Sequence, residues 1–115
     1  MSDSKNLNWQ TVCNARDLPA DMGICAKLNG KQVAIFSLEK NDSFKLFAIG
    51  NHDPFSESNV LSRGLIGDLE GQYVVASPIY KQHFNLETGR CLEDESVVIP
   101  IYEVRNNDGV IEVAA

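Results

Sequence analysis

Short apolar runs broken by turn residues roughly every 8–12 positions fill this chain from Trp9 onward, a spacing that belongs to β-sandwiches and barrels. Trp9 to Cys13 reads as a first strand, followed by a turn or one helical turn at Asp17-Leu18-Pro19. Gly23 to Leu28 and Lys31 to Leu38 flank Asn29-Gly30, a hairpin signal because both residues tolerate positive φ. The second of these strands is apolar on both faces, Val33/Ile35 on one and Ala34/Phe36/Leu38 on the other, which places it centrally. A turn at Asn41-Asp42-Ser43 leads into Phe44 to Ile49. Residues 50 to 63 show no alternation and form the longest irregular stretch, the kind of loop that carries function in a compact domain. Gly64 to Leu69 and Gln72 to Ala76 flank Glu70-Gly71, and His83 to Leu86 turns back at Thr88-Gly89. Val97 to Arg105 and Val110 to Val113 flank Asn107-Asp108-Gly109. Pro100 falls inside the first of this last pair, which predicts an edge or bulged strand there. No run has helical spacing.

The expectation is an all-β, antiparallel sandwich of hairpin-connected short strands. With 115 residues there is room for one core, so we assign a flexible polar tail to 1–8 and the domain to 9–115.

Charge and cysteine usage exclude several functions. A net charge of −6 without any Lys/Arg cluster sets nucleic-acid binding aside. The acidic excess either solubilises the surface or faces a basic partner. No apolar run approaches the ~20 residues of a membrane span, and Met1 to Asn8 lacks the apolar core of a secretory signal. Cys13, Cys25 and Cys91 are odd in number and contain no CxxC, which points to reduced thiols and a cytoplasmic protein. Cys13 and Cys25 lie beside apolar residues and are expected to be buried, whereas Cys91 follows a turn and is expected to be more exposed.

No self-contained catalytic constellation is visible. The chain has two histidines, His52 and His83, and with three scattered cysteines they lack zinc-ligand spacing. There is no Walker A or GxGxxG sequence. Ser77 precedes Pro78 without the GxSxG context of a nucleophile elbow. Glu93-Asp94-Glu95 reads as a solvated acidic face.

Two segments resemble the ligand loops of Rieske 2Fe–2S domains. In that family the first loop carries Cys-x-His, often with Pro between. Here Asn51-His52-Asp53-Pro54-Phe55 keeps the proline, with Asp53 at the cysteine position and Phe55 at the histidine position. The family's second loop reads Cys-Pro-x-His, then a small residue and Phe. Here Ser77-Pro78-Ile79-Tyr80-Lys81-Gln82-His83-Phe84 places Ser77 for the cysteine and Tyr80 for the histidine. The Phe-x-Leu-x-Thr-Gly that follows in the family is present as Phe84-Asn85-Leu86-Glu87-Thr88-Gly89. Rieske iron needs two thiolates and two imidazoles. Asp, Phe, Ser and Tyr do not replace that set, and His52 and His83 are off register, so the resemblance implies the scaffold without the cluster.

The strings Asn51 to Ser56, Asn59 to Gly64, Ala76 to Phe84 and Gly89 to Asp94 together resemble the small subunit of NAD(P)H-dependent nitrite reductase, with a likeness running from about Trp9 to Val113. The resemblance implies an enzyme subunit without its own active site, metal or cofactor. Its partner would be the large subunit, bearing FAD, an iron–sulfur cluster and siroheme and reducing nitrite to ammonium in the cytoplasm.

The resemblance also implies that the two former ligand loops meet at one tip, the end with which Rieske domains meet redox partners. His52, Phe55, Arg63, Tyr80, Lys81 and His83 are therefore the candidate docking residues. We expect Phe55 and Tyr80 to pack together where the cluster would sit. Five of these six also have a plainer role: Phe55 and Tyr80 as core filling, Arg63 as a loop brace, Lys81 as a solvated cation and His83 as a structural histidine; Asp53 in the same loop reads as a turn former. Three rivals stand beside the accessory-subunit reading. They are an electron-carrying ferredoxin, which the missing ligands oppose, a Rieske-like interaction module of another oxidoreductase complex, and an enzyme using Tyr80 and His83 as acid and base.

Overall fold

A computed structural model describes residues 8–40 and 43–115. The tail expected over 1–8 lies outside them except for Asn8, and so does the Asn41-Asp42 part of the expected turn. The strands are β1 (Trp9–Asn14), β2 (Gly23–Leu28), β3 (Lys31–Lys40), β4 (Ser43–Gly50), β5 (His52–Asp53), β6 (Ser58–Asn59), β7 (Leu65–Leu69), β8 (Gln72–Ala76), β9 (His83–Asn85), β10 (Ile101–Asn107) and β11 (Val110–Ala114). Among the described residues, helix is confined to two 3₁₀ turns, Ala15–Asp17 and Leu61–Arg63.

Six strands form one sheet in the order β1-β11-β10-β4-β3-β2, and three form a second in the order β7-β8-β9. All these strand pairs are antiparallel. Three hairpins turn where the sequence predicts, and β5 and β6 add a short one inside 50–63, where the sequence shows no alternation. Asn29-Gly30, Glu70-Gly71 and Asp108-Gly109 each take positive φ at both residues, the geometry whose twist matches two-residue hairpins.

β3 is central and buried on both faces, as its double apolar pattern requires. Ala34, Phe36 and Leu38 join Phe47, Ile49, Val75, Phe84 and Leu86 between the two sheets. Val33 and Ile35 face the other way, into a second cluster with Ala48 of β4, Ile111 and Val113 of β11, and Leu18. At roughly 25 cal/mol per Å² of apolar surface buried, these two layers are the main source of stability.

Pro100 departs from expectation. It does not interrupt an edge strand: β10 begins at Ile101 and runs between β11 and β4 in the interior of the large sheet. Before the proline, Cys91 N–H donates to Val97 O at 2.9 Å and Ile99 N–H to Gly89 O at 2.8 Å. After it, Ile101 and Tyr102 pair with Ile49 and Ala48 of β4. Pro100 thus divides two pairing regimes at a point where its missing N–H breaks no ladder bond, and its carbonyl accepts Gly50 N–H at 2.9 Å.

The cysteines also depart from expectation. Cys25 is exposed and Cys91 is fully buried, while Cys13 is half-buried. In β2, Ile24 and Ala26 pack on the second cluster. Period-two alternation therefore turns Cys25 outward with Lys27. Cys91 is drawn inside by its bridge to Phe84, and it packs in the inter-sheet cluster.

Candidate functional site

The two loops singled out in the sequence meet at one end of the sandwich. The first contains β5, β6 and the Leu61–Arg63 turn, and the second joins β8 to β9. Their junction is Asp53, which has no exposed surface, against Ser77, which also has none. Ser77 Oγ donates to Asp53 Oδ2 at 2.5 Å, and Ser56 Oγ donates to the same oxygen at 2.9 Å. Asp53 Oδ1 accepts Phe55 N–H at 2.9 Å, the local turn bond expected of an aspartate before Pro54. Burial pushes the Asp53 carboxyl up, but the hydrogen bonds from Ser77, Phe55 and Ser56 outweigh it and hold the group below its usual range.

Asn51, 2% exposed, fastens the first loop to the large sheet. Its Nδ2 donates to Gln32 Oε1 and to Asn59 O, both at 3.1 Å, and its Oδ1 accepts Ser62 N–H at 2.7 Å. The sequence reading missed this role. A lone Asn after a strand gives no signal beyond its capacity for several hydrogen bonds.

Phe55 is half-buried and packs on Phe84, with ring centroids 6.1 Å apart. It does not pack on Tyr80, which is 60% exposed. The expected aromatic plug is therefore corrected: the loops are joined by Asp53–Ser77, and Phe55 belongs to the inter-sheet core. Tyr80 stays outside because it lies in the turn Ser77–Lys81, closed by Lys81 N–H donating to Ser77 O at 3.1 Å with Lys81 at φ 68°.

The remaining candidates are spread over the same end. His52 is exposed, with Nδ1 3.1 Å from Asn59 Oδ1. Arg63 and Lys81 are exposed. Arg63 lies close enough to Cys25 to lower that thiol against the stronger upward push of burial. His83 Nδ1 lies 2.7 Å from Glu93 Oε2, and His83 N–H donates to Glu93 Oε1 at 2.7 Å. Burial raises the Glu93 carboxyl, and the His83 contacts more than offset this to leave it lowered. Since Nδ1 of His83 is engaged by Glu93 and no hydrogen bond joins Tyr80 to His83 among the described residues, the acid–base pair has no geometric support.

The fit of a 2Fe–2S cluster can be tested on these contacts. The two positions that would supply thiolates are bonded to each other through hydroxyl and carboxylate, and one imidazole position is a phenyl ring seated on Phe84. The other is a phenol turned to solvent. No group of three or more His, Cys, Asp or Glu suited to a metal ion occurs among the described residues. The residues present do not fit the cluster.

Comparison with known proteins agrees with this architecture. Residues 8–114 match the family of the Rieske-like [2Fe-2S] domain. The small subunit of the NADH nitrite reductase of Escherichia coli is 47% identical over 105 residues, covering 91% of this chain and 95% of that one. The NMR structure of the Escherichia coli protein NirD superposes with a TM-score of 0.83 at 46% identity, covering 92% of this chain and 94% of that one. A segment of the NAD(P)H nitrite reductase large subunit of Klebsiella oxytoca, 11% of its length, is 36% identical over 91% of this chain. A likeness that spans both ligand loops and nearly the full length of the small subunits leaves one assignment: the chain belongs to the Rieske-like domain family and, within it, to the small subunits of NAD(P)H-dependent nitrite reductases.

Proposed function

We propose that this chain is the accessory subunit of a cytoplasmic NAD(P)H-dependent nitrite reductase. It binds the large subunit and supports its activity without holding a cofactor of its own. The observation that carries the reading is 47% identity to a small subunit over nearly its full length, in a chain whose cluster position is bonded shut by Asp53 and Ser77. The Klebsiella oxytoca large subunit adds to it, because there a similar segment is part of the large chain itself. FAD, the iron–sulfur cluster and siroheme then reside on the partner, where nitrite is reduced to ammonium. The tip formed by His52, Phe55, Arg63, Tyr80, Lys81 and His83 is the docking end in this reading. Exposed Tyr80 supplies an aromatic anchor of the kind that dominates interface energetics, Arg63 and Lys81 supply cations, and half-buried Phe55 shapes the loop from beneath.

The test is an affinity pull-down with the tagged chain from extract of source cells grown on nitrite, followed by the visible spectrum and the NAD(P)H-dependent loss of nitrite in the eluate. Recovery of a large flavin- and siroheme-bearing subunit with that activity supports the reading. Recovery of a different oxidoreductase would turn the chain into an interaction module of another complex.

A further inference from the structure

We propose that a groove on the flank of this tip, between the β2–β3 hairpin and the first loop, receives an acidic segment of the large subunit. The inference rests on the accessory-subunit reading and deepens it, adding hairpin residues that lie outside the two loops.

The groove measures about 450 Å³ and is lined by Lys27 and Lys31 from the hairpin, His52 and Asn59 from the first loop, and Pro100 and Tyr102 at the entry to β10. No Asp or Glu lines it. The chain as a whole carries −6, so this is a local inversion of sign. Both lysines are exposed, and among the described residues neither is paired with a carboxylate. Lys31 instead holds its ammonium 5.9 Å from the centre of the Tyr102 ring, which keeps the cation over the groove.

The walls are well supported. Asn29 Nδ2 donates to Ala115 O at 2.8 Å, tying the hairpin tip to the residue just after β11, and Asn51 N–H donates to Gln32 O at 3.0 Å, tying the first loop to β3. A cationic cleft with an aromatic and a prolyl wall and no internal counter-charge complements a carboxylate-bearing segment. In such a contact the charges steer encounter and fix register more than they add affinity.

The test measures association of the purified large subunit of the source organism with the wild-type chain, with Lys27→Glu/Lys31→Glu and with Arg16→Glu/Lys45→Glu. Arg16 and Lys45 are exposed cations that do not line the groove, and their reversal changes the net charge equally. Binding is followed at about 50 and about 300 mM salt, which brackets strong and weak screening. We expect the groove variant to bind about tenfold more weakly at low salt, with a flatter salt dependence, and the control to bind nearly as the wild type does. Equal thermal midpoints show that the variants are folded. Wild-type affinity and salt dependence in the groove variant overturn the groove assignment, and so does an equal loss in the control. Absence of wild-type binding overturns the accessory-subunit reading itself, and the groove assignment with it.

Discussion

Ser77 Oγ lies 2.5 Å from Asp53 Oδ2, so the residues at the two thiolate positions of the Rieske pattern are bonded directly to each other. Where a cluster would staple the two loops, a hydroxyl-to-carboxylate bond does so, in a site with no solvent exposure on either residue. Charge-assisted bonds of this length are about twice as strong as neutral ones. Ser77 Oγ also accepts Ile79 N–H at 3.3 Å, so one hydroxyl serves both loops.

Ser77→Ala therefore leaves a buried carboxylate short of a donor and is expected to cost about 1–3 kcal/mol. Urea denaturation measures it. A midpoint unchanged from wild type would show that the loops are held by something else.

The same carboxylate sets an acid limit. Its folded pKa is lowered, so the unfolded chain takes up its proton first as pH falls. The stabilisation is complete above the unfolded value of about 3.9 and is lost as pH drops through that value toward the lower folded one. Wild type should exceed Asp53→Asn in stability by more at pH 7 than at pH 3. A constant difference across that range would mean that Asp53 does not carry the linkage.

Much of this was legible in the sequence, and the misses share a cause. The two apolar faces of Lys31–Leu38 foretold a central β3 buried on both sides, and the dipeptides Asn29-Gly30 and Glu70-Gly71 foretold hairpins, because period and turn chemistry are local. The meeting of Asp53 with Ser77 spans 24 residues. The ligand-loop pattern placed both at one tip, but it did not say which side chains would bond there, and the aromatic pair Phe55 and Tyr80 was expected instead. Cys25 was readable after all, since Ile24 and Ala26 claim the inward face. Cys91 was not, because what buries it is a bridge to Phe84 and packing set by the tertiary fold.

Thiol labelling follows from that reversal. Cys25 is exposed and Cys91 fully buried, so a maleimide at pH 8 should modify Cys25 first and reach Cys91 only on unfolding. Burial raises both thiols, which slows Cys25 without hiding it. Mass spectrometry of the singly labelled species assigns the position. Label on Cys91 under native conditions would contradict the inter-sheet packing.

Gly64, at the foot of the first loop, has an ordinary φ of −72°, and its constraint is space. A Cβ there meets the Ala76 carbonyl oxygen, and it lies 2.6 Å from Val75 Cγ2. Backbone cannot yield as a flexible side chain does, so Gly64→Ala should cost about 1–3 kcal/mol. Gly67, three residues along in β7, has nothing within 4 Å of its Cβ position. Gly67→Ala should stay within about 0.5 kcal/mol of wild type or gain slightly. Chemical denaturation of the two variants side by side checks the contrast.

Asn51→Asp isolates the other brace. The change is isosteric and keeps an acceptor for Ser62 N–H, but it removes the Nδ2 donor and sets an anion against Asn59 O, in a site 2% exposed. A buried carboxylate facing a carbonyl is disfavoured in its charged form, so its pKa rises on folding. The variant should lose about 2–4 kcal/mol at pH 7. Because the folded state then holds the proton more tightly than the unfolded state, part of the loss should return as pH falls toward about 5. Urea midpoints of wild type and variant at the two pH values measure this, and amide exchange at Leu61 and Ser62, whose N–H groups both donate to Asn51, locates it. A loss that does not shrink on acidification would place the damage in the missing donor alone rather than in the buried charge.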